Sequence, residues 1–366
     1  MRTRWHIRWF ALIVAIATMM SVAVPVLATA LYPAPGTATV DGNPNEWDLT
    51  RDFFAQMYEA GKSDKDWLSS VYLRYDCVSK TLYVLVLTEK DKEDKKYQIM
   101  ANMPKDNWVK IYDLGNSTLV DGNSGNDGRP PDFAWVNQNG DVADGWEASI
   151  SLDPGEYQKL EVHAQIVGKD SDGRTSSTGK AGIPLTLQCL SLGDFVWDDR
   201  NSDGIQDLNE KPGFANVPVW LFAGACDTSL NYNSMTPRYS TTTNSDGMYT
   251  FVTLPGSYCV IIPSSAFNVG GPLAGRDPSP TRPDDDPRQD SNGELQNTYN
   301  YVWAFVTLTS SDDDTIDFGF VSGAPTAVTL ASLSARSGAG WPVGVLAMAA
   351  VGVLLMSGAA ARRHWR

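Results

Sequence analysis

The chain of 366 residues reads as all-β: two tandem β-sandwich domains between an export signal and a single C-terminal transmembrane helix. Three observations predict this. Short runs rich in aromatic and β-branched residues recur throughout, separated by clusters of Gly, Asn, Asp and Pro. Four cysteines, an even number without Cys-x-x-Cys spacing, suit disulfides in an exported chain better than a metal site. Both ends are apolar and flanked by arginine, whereas all 43 acidic residues lie between them.

Residues 1–30 form the expected signal peptide. Arg2, Arg4 and Arg8 give the basic start, 9–24 the apolar stretch, and Ala28-Thr29-Ala30 the small residues for cleavage. At the other end a linker, 323–340, precedes the uncharged apolar run 341–361 and the basic tail 362–366. About 20 apolar residues suffice to span a bilayer, and the arginines favour a cytoplasmic end. The expectation is a cell-surface chain with one membrane anchor. A sorting tail exchanged for a wall anchor is the rival, and it lacks a Leu-Pro-x-Thr-Gly signal.

The first domain is expected over 31–189, with strands at 70–75, 81–87, 146–152 and 160–167 and a long polar loop at 115–131. The second is expected over 190–322, with seven strands at 192–197, 217–222, 238–243, 248–254, 257–262, 299–309 and 315–321. A Pro/Asp-rich loop, 263–297, separates the fifth and sixth of these and contains Asp284, Asp285, Asp286 and Asp290. Four cysteines allow three pairings, and a partner within the same region favours Cys226 with Cys259 and Cys77 with Cys189.

Between the first two strands of the second domain runs Asp199-Arg200-Asn201-Ser202-Asp203-Gly204-Ile205-Gln206-Asp207-Leu208-Asn209-Glu210. Side-chain oxygens fall at positions 1, 3, 5, 9 and 12 and glycine at position 6, the spacing of a calcium loop. Alternate side chains turn inward, Gly204 permits the sharp turn, and Glu210 can close the site with two oxygens. The bland alternative is a solvated acidic turn; the match at every ligand position favours calcium. A strand before the loop and Pro212-Gly213 after it argue against the helix-flanked EF-hand.

The second domain resembles the B-type repeat of serine-aspartate-repeat surface proteins, related to collagen-adhesin B domains. The resemblance rests on 192–197 (Leu-Gly-Asp-Phe-Val-Trp), the calcium loop, Pro218-Val219, 244–249 (Asn-Ser-Asp-Gly-Met-Tyr), 254–258 (Leu-Pro-Gly-Ser-Tyr) and Asp317-Phe318-Gly319-Phe320. It implies a non-enzymatic stalk or presentation unit that binds calcium through Asp199, Asn201, Asp203, the Ile205 carbonyl, Asp207 and Glu210. Related pilin domains carry a Lys–Asn isopeptide staple. Here Lys211 is the only lysine in 190–322 and the last strand offers Asp317, so no staple is expected.

The first domain resembles the DOMON-like sandwich that includes family 9 carbohydrate-binding modules. The cues are 40–47 (Val-Asp-Gly-Asn-Pro-Asn-Glu-Trp), the strand at 81–86, and 144–150 (Asp-Gly-Trp-Glu-Ala-Ser-Ile). Trp47 and Trp146 belong to these motifs and are expected to pack in the core. Trp67, Trp108 and Trp135 lie outside them and are the candidate sugar-stacking residues, with burial as the competing reading for each.

Without the six arginines of the two ends, 23 basic residues face 43 acidic ones, a net of −20 that disfavours nucleic acid and anionic lipid. His163 is the only histidine between signal and tail, and no nucleophile motif lies near it. The expected function is therefore a calcium-stiffened stem displaying an N-terminal binding domain, with a carbohydrate or a surface protein as ligand. The alternatives are a carbohydrate-binding accessory to polysaccharide degradation, or a haem protein using His163 with Met100 or Met103.

Overall fold

The computed structural model describes residues 32–60, 67–90, 96–167, 174–179, 182–281 and 289–322. The expected signal peptide, linker, membrane helix and tail, and Asp284–Asp286, lie outside them. Among the described residues no helix is long and apolar enough to cross a membrane.

In the N-terminal part, one 13-stranded sheet curls over a main core, with a second, smaller cluster of Trp47, Tyr72, Leu85 and Val136. Its main path runs from Asn116–Asp121 through Trp108–Asp113, Gly155–Ile166, Arg174–Ser177, Phe53–Glu59, Trp67–Asp76, Thr81–Thr88 and Gly145–Ser151 to Asp132–Val136. Val109, Ile111 and Val120 from one end of this path share a cluster with Phe133 and Trp146 from the other. Strand alternation explains the packing: Val162 and Ala164 are buried in that core, while His163 between them faces outward. The expected loop 115–131 therefore begins with a strand. Leu114-Gly115 closes a two-residue turn, with Gly115 at φ +84°, and the polar strand pairs Asp113 with Asn116.

The C-terminal part is a two-sheet sandwich. A 4-stranded sheet orders Met248–Thr253, Leu190–Asp198, Phe318–Ser322 and Arg276–Pro278. A 5-stranded sheet orders Tyr239–Thr242, Pro218–Ala223, Gly256–Ile262, Tyr301–Leu308 and Glu294–Gln296. Val219 and Leu221 face the core between the sheets. Trp220 and Phe222 face outward into a second cluster with Tyr232, Ile261 and Tyr301. Arg276–Pro278 and Glu294–Gln296 arise inside the expected loop 263–297 and extend one edge of each sheet.

Both disulfides form. Cys226–Cys259 ties the outer cluster of the 5-stranded sheet, and Cys77–Cys189 joins the N-terminal core to the residue preceding Leu190.

Candidate functional site

The strand Leu190–Asp198 runs directly into the candidate calcium loop. Asp199, 1% exposed, accepts N–H bonds from Ser202 (2.7 Å) and Gly204 (2.9 Å), which coil the chain back over its carboxylate. Gly204 sits at φ +77°, which a side chain would strain. Glu210, also 1% exposed, accepts from Arg200 N–H (2.8 Å) and Asp207 N–H (2.9 Å), so it staples the two ends of the loop. Between these buried carboxylates the exposed side converges on one group: the Asn201 amide NH₂ donates to Asp203 Oδ2 (2.9 Å) and Asp207 Oδ2 (3.0 Å).

This donor set has the chemistry of a hard-cation site: carboxylates, an amide oxygen and a backbone carbonyl, without sulfur or imidazole. As the side chains lie, no group of three or more His, Cys, Asp or Glu among the described residues is close enough to hold an ion. Closure on calcium requires the Asn201 amide to turn, exchanging its NH₂ for Oδ1 between Asp203 and Asp207. The opposite wall is laced to the loop, since Gln206 N–H donates to Gln289 O (2.7 Å) and Ser291 N–H to Gly204 O (3.1 Å).

Asp317, read in the sequence only as the residue standing where a staple would need asparagine, is a buried carboxylate of the same sandwich. Asp317 is fully buried; its Oδ1 accepts from Phe195 N–H (3.0 Å), and its Oδ2 has no hydrogen-bond partner among the described residues. Burial, then the nearby Asp194, pushes its pKa up to about 9. Lys211 Nζ lies over the Phe195 ring, 5.6 Å from its centroid.

In the N-terminal sheet, Trp67 and Trp108 fall on one ladder row. Successive pairings place Asp121, Trp108, His163, Ser177, Tyr58 and Trp67 side by side on the outward face. Four strand spacings separate the two indoles, about 19 Å. Trp108 stacks on His163, with centroids 3.9 Å apart. Burial lowers the His163 pKa, opposed by Glu161. Trp67 is 40% exposed, and its indole N–H is held by Ser69 O and Ser70 Oγ. Trp135 does not join this row. It lies at the other end of the sheet, edge-on to Phe133 and packed against the core.

The motifs around Trp47 and Trp146 are structural. Glu147, 1% exposed, accepts from Gly42 N–H (2.8 Å), Asp41 N–H (3.2 Å) and Trp47 Nε1 (2.9 Å), so one carboxylate ties the first motif to the second. Trp146 is fully buried.

Fold and loop together define an all-β module with an Asp–Asn–Asp turn between its first two strands. Residues 190–320 match the family described as the SdrD B-like domain, and this segment is a B-type domain of the serine-aspartate-repeat kind. Serine-aspartate repeat-containing protein F of Staphylococcus epidermidis is 36% identical over 152 residues, covering 41% of this chain and 8% of the relative. The fibrinogen-binding protein of Staphylococcus epidermidis is 32% identical over 162 residues, covering 44% of this chain and 12% of the relative. Colossin-B of Dictyostelium discoideum is 45% identical over 78 residues, covering 21% and 2%. The chain thus spans a small part of the length of these relatives. A solved structure, the Bacillus anthracis TIE protein, aligns over 80% of this chain and 56% of its own at TM-score 0.19 and 6% identity, too low to carry an argument.

Proposed function

We propose that the chain is an adhesion-type protein of the cell surface, in which a calcium-braced B-type domain is the stem and the N-terminal sandwich makes the ligand contact. The observation that carries the stem reading is the convergence of Asn201, Asp203 and Asp207 above the buried, N–H-saturated Asp199 and Glu210. The match to the SdrD B-like domain and the likeness to serine-aspartate repeat proteins support surface display. The deciding experiment is thermal unfolding of the full chain with and without calcium, which should stabilise it.

A second reading assigns carbohydrate to the N-terminal sandwich, and the outward row from Trp108 to Trp67 favours it. Two indoles, a tyrosine and a histidine on one face, flanked by the half-buried Gln56 and Gln165, offer apolar area and polar partners along a line. A glycan array probed with the full chain should return neutral polysaccharides, with the signal lost in Trp67→Ala and Trp108→Ala. An empty array, or binding indifferent to both substitutions, rejects the reading and leaves a protein ligand. The membrane anchor proposed at 341–361 is tested by fractionation of cells expressing the chain with and without that segment.

A further inference from the structure

We propose that Asp52 latches the two sandwiches into one cooperative body by holding an arginine from each. Asp52 precedes the strand Phe53–Glu59 of the N-terminal sheet, and its side chain is fully buried. Its Oδ2 accepts from Arg74 Nε (2.8 Å) and Nη2 (2.6 Å), within the same sandwich. Its Oδ1 accepts from Arg238 Nη2 at 2.9 Å, 186 residues away and immediately before the strand Tyr239–Thr242 of the other sandwich. The Arg74 and Arg238 side chains are only 4% and 17% exposed, so neither pairing is a screened surface contact.

The surroundings are built to match. Arg74 also donates to Thr37 O (2.9 Å) and Glu46 O (2.6 Å) and lies over the Trp47 ring, so the inner arm is fixed from three directions. Arg238 passes against Gly36, where a Cβ would stand 3.1 Å from its Cδ. Leu254, from the turn between two C-terminal strands, packs in the N-terminal core cluster, and Cys77–Cys189 closes the same junction. Removing Asp52 leaves two buried guanidiniums without their shared carboxylate, and separating the sandwiches must break the Arg238 arm. Ion pair, apolar plug and disulfide therefore resist separation together. The clamp is distinct from the proposed calcium loop, so the inference holds whether or not calcium binds.

Hydrogen–deuterium exchange of the full chain across a urea series, disulfides intact, follows each sandwich by its own peptides. In wild type, protection in Trp67–Asp76 and Gly256–Ile262 should be lost at one shared midpoint, in calcium and in chelator alike. Arg238→Met, which leaves both cores untouched, should split that midpoint in two. Arg200→Met, which removes the surface pairing with Asp198 and a bond to Asn209 O, both far from the junction, should not. Asp52→Asn and the double variant complete a cycle in which the two substitutions must be non-additive on the splitting. Two midpoints already present in wild type, a single midpoint persisting in Arg238→Met, or additive effects would overturn the clamp.

Discussion

Calcium binding is the most consequential prediction, and the hydrogen bonds of the loop decide which substitution tests it cleanly. Glu210→Ala is a poor choice. It leaves the N–H groups of Arg200 and Asp207 without their acceptor, at about 1–3 kcal/mol for each that stays buried, so the domain weakens even in chelator. Asp203 is half-buried, and among the described residues its oxygens serve only the Ile205 N–H and the Asn201 amide, both near water. Asp203→Ala should therefore cost about 0.5–1.5 kcal/mol in chelator and abolish the response to calcium. If affinity lies at about 0.1–1 mM, as for extracellular modules, about 1 mM calcium contributes about 0.4–1.4 kcal/mol. For a body of this size that is a rise in Tm of about 1–5 °C. Differential scanning calorimetry of the full chain in chelator and at stepped calcium should show that rise in wild type, growing with concentration, and its absence in Asp203→Ala. A wild-type Tm that is the same in chelator and at about 10 mM calcium would refute the assignment. So would an Asp203→Ala variant that retains the full shift.

Two further outcomes follow from buried carboxylates. Asp317 has a folded pKa of about 9 against the ordinary 3.8, so the stability tied to its protonated form is full below 3.8 and falls as pH rises towards about 9, by at most about 1.4 kcal/mol per pH unit. Asp317→Asn, which keeps the uncharged shape, should flatten urea midpoints between pH 5 and 9 and exceed wild type at the alkaline end; parallel profiles would contradict this. Glu147→Ala strips three donors of their acceptor and should cost about 3–5 kcal/mol by urea unfolding, with Glu147→Gln milder; a loss near zero would mean the two motifs are not held together by this carboxylate.

What was legible in the sequence was local. The spacing from Asp199 to Glu210 lies within twelve residues and depends on periodicity alone, and the strands of the C-terminal sandwich announce themselves by composition. Polar strands were not legible. Asn116–Asp121 carries little apolar signal because its outward side chains face water, and it is a strand only because Trp108–Asp113 offers it a partner. Long-range polar contacts leave no local trace at all. Nothing near Asp52 points to Arg238, and Glu147 reaches Gly42 across 105 residues. The tryptophans divide for the same reason: Trp135 and Trp108 look alike in sequence, and only sheet order separates the one beside Phe133 from the one on the outward row.

The placement of the loop along its strand bears on what calcium would do. Leu190–Asp198 starts one residue after Cys189, at the junction, and ends one residue before Asp199. Nine residues extend about 30 Å, so junction and loop occupy opposite ends of that strand. Phe318–Ser322 runs parallel to it, pairing Val196 with Phe318 and Asp198 with Phe320, and Asp199 N–H donates to Phe320 O at 2.9 Å. The chain therefore leaves the stem at the loop end. A load passing from residue 323 onward to the N-terminal sandwich would run along two parallel strands pulled from opposite ends, so that their ladder bonds are strained together rather than opened in turn. Calcium between Asp199 and Glu210 would close the chain where that ladder ends, which is where fraying would otherwise begin. On this geometry a cation is most useful when it stays bound, and the Asp52 clamp secures the other end of the same strand.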